Sequence, residues 1–297
     1  MAENRFFRGH KRRGSYDLFS SYNHFLPGIG GMLVLLAMFL IGALLGNLIN
    51  SSIAALLGRE LALKYGTLIS YPVMFIPAFL YASVRSRLNE HAGAGVPLDS
   101  NEGLKGKTTL YIFTCVFATI ATAYIEEPVM TLLPPMPQSL KTQMDLNTKN
   151  LPLWASLNSV SLFAPLFEEW LCRGLVLRGL LGRMKPVWAI VISALFFAVL
   201  HANPWQAIPA FILGALFGYV YYRTGSLKLT MLMHCANNTL SVFLSKITQF
   251  QDAETFMDVL SPWAYWSVYA ACVVTVCCAL AVFSKKRAPE KETETTR

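Results

Sequence analysis

The chain has 297 residues, of which 54% are hydrophobic and 14% are charged. Because soluble globular proteins carry about 25% charged residues, this composition predicts a polytopic membrane protein, in which helices satisfy their own backbone hydrogen bonds. The net charge of +8 would suit nucleic acid, but nothing beyond the charge supports such a partner, so no nucleic-acid partner is predicted.

The two ends of the chain are polar. Residues 1–24 carry five Lys and Arg side chains among aromatic residues and contain no apolar signal-peptide core. They predict a cytoplasmic arm that lies on anionic membrane lipid. Residues 284–297 are rich in Lys, Glu and Thr and predict a disordered cytoplasmic tail.

Eight apolar segments lie between these ends, and most approach the roughly 20 residues that a membrane-spanning helix needs. The fold predicted is all-α, a polytopic membrane protein with about eight transmembrane helices. The fourth segment is expected to continue as helix to Leu181, and residues 50–63 to form an interfacial helix. We divide the chain into N-terminal transmembrane helices at 25–150, a core at 151–247 and a last helix at 248–283. The eight segments run at about 31–49, 68–84, 108–125, 151–171, 186–201, 207–222, 229–247 and 263–283.

The distribution of positive charge predicts the orientation. Twenty of the 25 Lys and Arg residues fall in the two ends and in alternate connections, and five fall in the connections between them. By the positive-inside rule, this bias places both termini in the cytoplasm of a cell (inner) membrane.

The fourth apolar segment carries three ionisable side chains, Glu168, Glu169 and Arg173. Three charges cost about 8–10 kcal/mol to insert, and the apolar neighbours return only about 7 kcal/mol. Glu169 and Arg173 are at i,i+4 and could form an ion pair that simply lets the helix insert. Glu168 has Cys172 rather than a cation at i+4, which makes it the carboxylate most expected to serve a function.

Polar residues also interrupt the fifth and seventh apolar segments. His201 ends the fifth, and His234 and Asn238 share one face of the seventh. Each of these residues could also have a purely structural role. His201 could be an interfacial histidine, and His234 and Asn238 could join helices by hydrogen bonds. Helix lengths also place His234 about 9 Å, and His201 about 22 Å, from the starts of their segments, so convergence requires tilt or a displaced helix.

The sequence contains three motifs in this order: EExxxR (Glu168, Glu169, Arg173), FxxxH (Phe197, His201) and HxxxN (His234, Asn238). Together they resemble the CAAX-protease and bacteriocin-processing family of intramembrane endopeptidases. The resemblance covers about residues 150–245. It implies a peptide-bond hydrolase whose substrate is a membrane-embedded or lipid-anchored peptide or protein. It also implies roles for six residues: Glu168 as the base acting on water, His201 holding that water, His234 and Asn238 stabilising the oxyanion, and Glu169 with Arg173 orienting them.

The resemblance leaves the metal dependence open. We favour a metal-free glutamic mechanism with no cofactor, because HExxH is absent and Asn is a poor zinc ligand. The alternative is a zinc site formed by Glu168, His201 and His234 with one open position.

Two other functions compete with proteolysis. One is a non-catalytic membrane scaffold or bacteriocin-immunity protein of the same fold. The other is a transporter or proton channel in which the buried charges form a relay, but no repeated halves with broken helices are evident in the sequence.

Overall fold

The computed structural model describes residues 19–100, 104, 106–248, 253 and 255–284. Helices and short turns make up this part of the chain, which contains no strand, so the all-α prediction is confirmed. Most of the predicted basic arm and disordered tail, residues 1–18 and 285–297, lies outside the described residues. We number the principal helices α1 (Ile29–Leu57), α2 (Arg59–Leu88), α3 (Thr108–Ile125), α4 (Gln138–Asn147), α5 (residues 153–181), α6 (Pro186–Leu200), α7 (Pro204–Thr224), α8 (Leu227–Lys246) and α9 (Pro262–Ser284).

In the described part of the chain, four helices are long and apolar enough to span a membrane: α1, α2, α9, and α3 together with the turn that extends it to Met130. The helix α6 is apolar but shorter. An all-α membrane protein is therefore shown, and the number of eight spans stays a prediction.

The helices α1 and α2 form a long hairpin. They contain 29 and 30 residues, or about 45 Å each, and only Gly58 separates them, at a φ of 97°. The predicted interfacial helix at 50–63 is wrong, because its residues complete the end of α1 and the start of α2. Both helices exceed the roughly 30 Å of membrane hydrocarbon, so they tilt or extend beyond it.

Small residues let α1 and α2 pack closely. Gly42 and Gly46 are spaced as in the GxxxG motif of membrane helix pairs. A Cβ on Gly42 would lie 1.9 Å from the backbone oxygen of Met74, and one on Gly46 would lie 2.9 Å from that of Ser70. The hairpin therefore requires glycine at Gly42.

The helix α5 lies at the centre of the fold and changes its helical geometry twice. It is α-helical at Leu153–Ser156, Ala164–Glu169 and Arg178–Leu181, and π-helical at Leu157–Phe163 and Trp170–Leu177. The second π-helical segment is buried except at its first residue. Its Cys172 carbonyl accepts a hydrogen bond of 3.1 Å from the Ser193 hydroxyl of α6. Such π-helical turns are frequent at functional sites, and here they flank the pair Glu168 and Glu169. The predicted continuation of this helix to Leu181 is confirmed.

Arg178 ties the end of α5 to the segments that surround it. Its guanidinium is 1% exposed and donates to the carbonyl oxygens of Tyr22 at 2.8 Å, Phe25 at 2.7 Å and Val96. These bonds pair both terminal nitrogens of a buried cation with backbone acceptors, so Arg178 has a structural role that its position in the motif region did not indicate.

Candidate active site

Two helices supply most of the site. Glu168 and Glu169 end the middle α-helical part of α5, immediately before the second π-helical segment. His234 and Asn238 lie one turn apart on α8, which packs along this part of α5. The chain turns from α7 into α8 at Gly225, whose φ of 71° favours glycine, and Ser226 caps α8 by accepting a hydrogen bond from the Leu229 amide.

Glu169 is the centre of a buried polar network. Its Oε1 accepts a hydrogen bond from Arg173 Nη1 at 2.7 Å and lies 3.1 Å from His234 Nδ1. The side chains of Glu169 and Arg173 are both 0% exposed. The predicted ion pair therefore forms, and it extends through His234 to the neighbouring helix.

Arg173 is held on its other sides as well. Its Nη2 donates to the Gly214 carbonyl of α7 at 2.8 Å, and its guanidinium lies 4.7 Å from the ring centroid of Phe197 and 5.5 Å from that of Phe217. These contacts offset part of the cost of burying the cation. Gly214 allows the approach, because a Cβ there would lie 3.1 Å from Nη2.

Glu168 has different surroundings from its neighbour Glu169. Its Oε1 accepts a hydrogen bond from the Tyr71 hydroxyl of α2, and its Oε2 lies 3.7 Å from His234 Nε2. The side chain is 12% exposed, whereas that of Glu169 is fully buried. Glu168 is thus the less buried carboxylate of the pair.

The two ring nitrogens of His234 face the two carboxylates, Nδ1 toward Glu169 and Nε2 toward Glu168. When Nδ1 carries a proton, it donates to Glu169, which fixes the orientation of the ring. The 3.7 Å separation from Glu168 Oε2 is too long for a direct hydrogen bond.

His201 lies just beyond α6, and its Nδ1 is 3.0 Å from the Phe197 carbonyl. Within the described residues it makes no hydrogen bond or ion pair with Glu168 or His234. Instead, the Phe197 ring packs edge-on against both imidazoles, with centroids 5.0 Å from that of His201 and 5.5 Å from that of His234. His234 therefore meets α6 at Phe197, one helical turn before His201.

Asn238 contacts the first π-helical segment of α5. Its Nδ2 donates a hydrogen bond of 2.8 Å to the Val160 carbonyl, and its Oδ1 accepts one of 3.2 Å from Asn237. A π-helical segment interrupts the regular α-helical hydrogen bonds of the backbone. The bond from Asn238 pairs with one carbonyl of this segment and thereby joins α5 to α8. One amide hydrogen of Asn238 remains for another acceptor.

A zinc ion would need three of these side chains to converge. The described part of the chain contains no group of three His, Cys, Asp or Glu side chains placed to hold a metal ion. Glu168 and His234 are close, with 3.7 Å between Oε2 and Nε2. The alternative zinc set of Glu168, His201 and His234 stays a prediction, which removal of metal by a chelator tests.

Tyr71 is the site residue that sequence reasoning missed. It lies in the second apolar segment, outside the region of the three motifs, and its ring packs against Phe75 with centroids 5.5 Å apart. Its only signal in the sequence is a phenol hydroxyl within an apolar helix, which usually requires a buried partner.

Comparison with known families agrees with this geometry. A family model described as Rce1-like, type II CAAX prenyl endopeptidase Rce1-like, matches residues 150–240. No curated protein and no solved structure gives a significant match to the chain. The matched region begins just before α5 and includes all six predicted site residues, so the resemblance in the sequence is confirmed: residues 150–240 are similar to the Rce1-like type II CAAX prenyl endopeptidases.

Proposed function

We propose that this chain is an intramembrane endopeptidase of the glutamic type, which hydrolyses a peptide bond of a membrane-associated protein or peptide. The observation that carries this proposal is the contrast between the two adjacent carboxylates. Glu169 is fully buried and paired with Arg173, whereas Glu168 is 12% exposed and has one oxygen opposite a histidine nitrogen. The arrangement suits Glu168 as a general base, which must contact water. The pair of Glu169 and Arg173, which holds the site in place, does not need to contact water.

The reaction begins with a water bound between Glu168 Oε2 and His234 Nε2. Glu168 takes a proton from this water as its oxygen attacks the scissile carbonyl carbon, giving a tetrahedral intermediate with a negatively charged oxygen. Glu168 then returns the proton to the amide nitrogen, the C–N bond breaks as the oxyanion reforms the carbonyl, and an amine and a carboxylic acid leave, the acid then losing its proton to water. No covalent enzyme intermediate is required.

The negatively charged oxygen needs hydrogen-bond donors. His234, oriented by Glu169, supplies Nε2–H when its ring is doubly protonated, and Asn238 supplies the amide hydrogen that Val160 leaves unused. A donor of this kind contributes about 2.7–4 kcal/mol in other hydrolases. His201 retains its proposed role on the water, which requires the bound substrate to bring α6 closer to Glu168.

Tyr71 is proposed as a positioning residue. Its hydroxyl holds Oε1 of Glu168, which leaves Oε2 as the oxygen that faces His234. The phenol fixes the rotamer of a side chain that would otherwise have solvent on one side. Since Tyr71 belongs to α2, it also joins the long hairpin to the site.

The family match supports a membrane-associated protein substrate. CAAX-type processing acts on a lipid-anchored C-terminus, and bacteriocin-type processing acts on a membrane-associated peptide. We propose one of these two substrates, within a cell membrane and with both termini of the chain in the cytoplasm.

Substrate trapping tests the proposal. Wild type and Glu168→Gln carrying an affinity tag would be expressed in native membranes, crosslinked and purified, and the captured proteins identified by mass spectrometry. The inactive variant should retain uncleaved precursors that wild type does not retain. Equal recovery of the same intact proteins by both would favour the scaffold function instead.

A further inference from the structure

A polar cavity lies where α1 begins, α2 ends and the chain leaves α5. None of its lining residues belongs to the proposed active site. Its volume is about 310 Å³, near the lower end of the roughly 300–1,000 Å³ typical of ligand sites. Its lining combines aromatic and polar side chains with the first residues of α1: Phe25, Tyr81, Arg85, Asn89, Arg183 and the glycines Gly28, Gly30 and Gly31.

The cavity is positively charged and its charges are unbalanced. Within the described residues, the Arg85 guanidinium makes no hydrogen bond or ion pair. Arg183 makes one hydrogen bond, from Nη2 to the Leu26 carbonyl at 3.1 Å, which leaves most of its donors unused. No Asp or Glu lies among the lining residues. Two guanidinium groups without a carboxylate partner form a binding site for an oxyanion, since planar pairs of N–H donors match phosphate oxygens.

The N-terminal end of α1 adds to the positive charge of the cavity. The amide of Met32 is the first in the helix to bond backward, to the Gly28 carbonyl at 2.9 Å, so the preceding amides point out of the helix end. The space beside Gly30 is open, because a Cβ there would meet nothing within 4 Å. Gly28 allows Arg183 to approach, since a Cβ there would lie 3.2 Å from the aliphatic part of that side chain.

The surroundings favour a lipid as the source of the anion. From the cavity, α1 continues with exposed apolar side chains, with Ile29 at 42% and Leu33 at 55% exposure. Acyl chains could lie along this face while the headgroup reaches the arginines. The cavity also lies at the Lys- and Arg-rich end of the helices, which the charge distribution predicts to be cytoplasmic, where anionic lipids concentrate.

We propose that this cavity binds the phosphate group of an anionic membrane phospholipid. The proposal is independent of the proteolytic function, because none of its residues belongs to the proposed active site.

The test uses the full-length protein in nanodiscs that contain equal amounts of phosphatidylglycerol and phosphatidylcholine, with retained lipids counted by native mass spectrometry. Wild type should retain phosphatidylglycerol in preference, and Arg85→Gln should reduce that preference about fivefold, the usual contribution of one cation near a membrane surface. Arg87→Gln is the matched control, because Arg87 is exposed at the same end of α2 but does not line the cavity. It should leave the preference unchanged.

A second variant keeps the test informative if Arg85→Gln does not fold. Gly30→Asp puts a carboxylate in the open mouth of the cavity, at a helix position where an acidic side chain is favourable, and should also lower phosphatidylglycerol retention. Equal retention of both lipids by wild type, or no effect of both Arg85→Gln and Gly30→Asp, would overturn the proposal. Stabilisation of the lipid-free protein by millimolar inorganic phosphate, without any preference between the lipids, would assign the site to soluble phosphate and overturn its assignment to lipid.

Discussion

Replacing Glu168 by Gln separates the chemistry of this carboxylate from its packing. Gln has the same length and keeps an oxygen that can accept the Tyr71 hydrogen bond, but it cannot take a proton from water. Because the side chain is 12% exposed and makes no ion pair shorter than 3.7 Å, the free energy of unfolding should change by less than about 1 kcal/mol, the net contribution of one hydrogen bond. Loss of a general base typically lowers the rate about 10²–10⁴-fold, which corresponds to about 2.7–5.5 kcal/mol in the activation free energy.

The assay is cleavage of fluorogenic peptides by purified protein in proteoliposomes, with prenylated CAAX and unprenylated versions compared, and thermal stability is measured in parallel. Glu126→Gln is the matched control, because Glu126 is also buried, at 8% exposure, and lies on the connection that follows α3, outside the site. It should leave cleavage unchanged. Cleavage by Glu168→Gln within threefold of wild type, at equal stability, would refute the assignment of Glu168 as the base.

Three further predictions concern the buried pair, the metal and the helical hairpin. Arg173→Ala should lower the free energy of unfolding by about 3–5 kcal/mol, because it leaves Glu169 as an uncompensated buried charge; an unchanged melting temperature in detergent would contradict this. If the mechanism is metal-free, dialysis against a chelator should leave cleavage unchanged and elemental analysis should find no stoichiometric zinc, whereas activity lost on chelation and restored by zinc would establish the metal mechanism. Gly42→Ala should destabilise the protein by about 1–3 kcal/mol, the usual cost of overpacking, whereas Gly30→Ala on the same helix should not, and equal melting temperatures would show that α1 and α2 do not pack as described.

A fourth prediction concerns the orientation in the membrane. Reporter fusions at residues 24, 95 and 297 should lie in the cytoplasm and fusions at 140 and 255 outside it, because twenty of the 25 Lys and Arg residues lie on the predicted inner side. An outside signal at 297 would require an odd number of spans.

The sequence predicts the elements of this fold better than their lengths. Apolar runs locate the helices, but hydropathy falls near polar residues such as Asn50, Arg59 and Glu60, so it predicts an interfacial helix where the structure continues α1 and α2. Those residues remain helical because the backbone N–H and C=O groups of a membrane helix bond to one another within the same helix, whether the side chains are polar or apolar. The π-helical turns of α5 have no sequence signal that we can identify, since they depend on partners such as Asn238 and Ser193 from other helices.

The candidate site shows a similar division between local and distant information. The i,i+4 spacing predicts the Glu169–Arg173 pair, because both ends lie on one helix. The spacing within α8 places His234 and Asn238 on one face, but it does not show that His234 contacts both carboxylates or that Asn238 bonds to Val160. Tyr71 lies 97 residues before Glu168, and only the packing of α2 against α5 brings the two together.

The two adjacent glutamates show how one short motif can give two unlike groups. Successive residues of a helix point about 100° apart, so Glu169 faces inward to Arg173 and α8 while Glu168 faces Tyr71 and solvent. His234 lies between these directions, and the orientation that Glu169 imposes on Nδ1 aims Nε2 at Glu168. In the proposed mechanism, the buried pair acts on the reaction through the histidine. On that proposal, a change at Arg173, whose side chain is fully buried, should lower both the stability of the protein and the activity of Glu168.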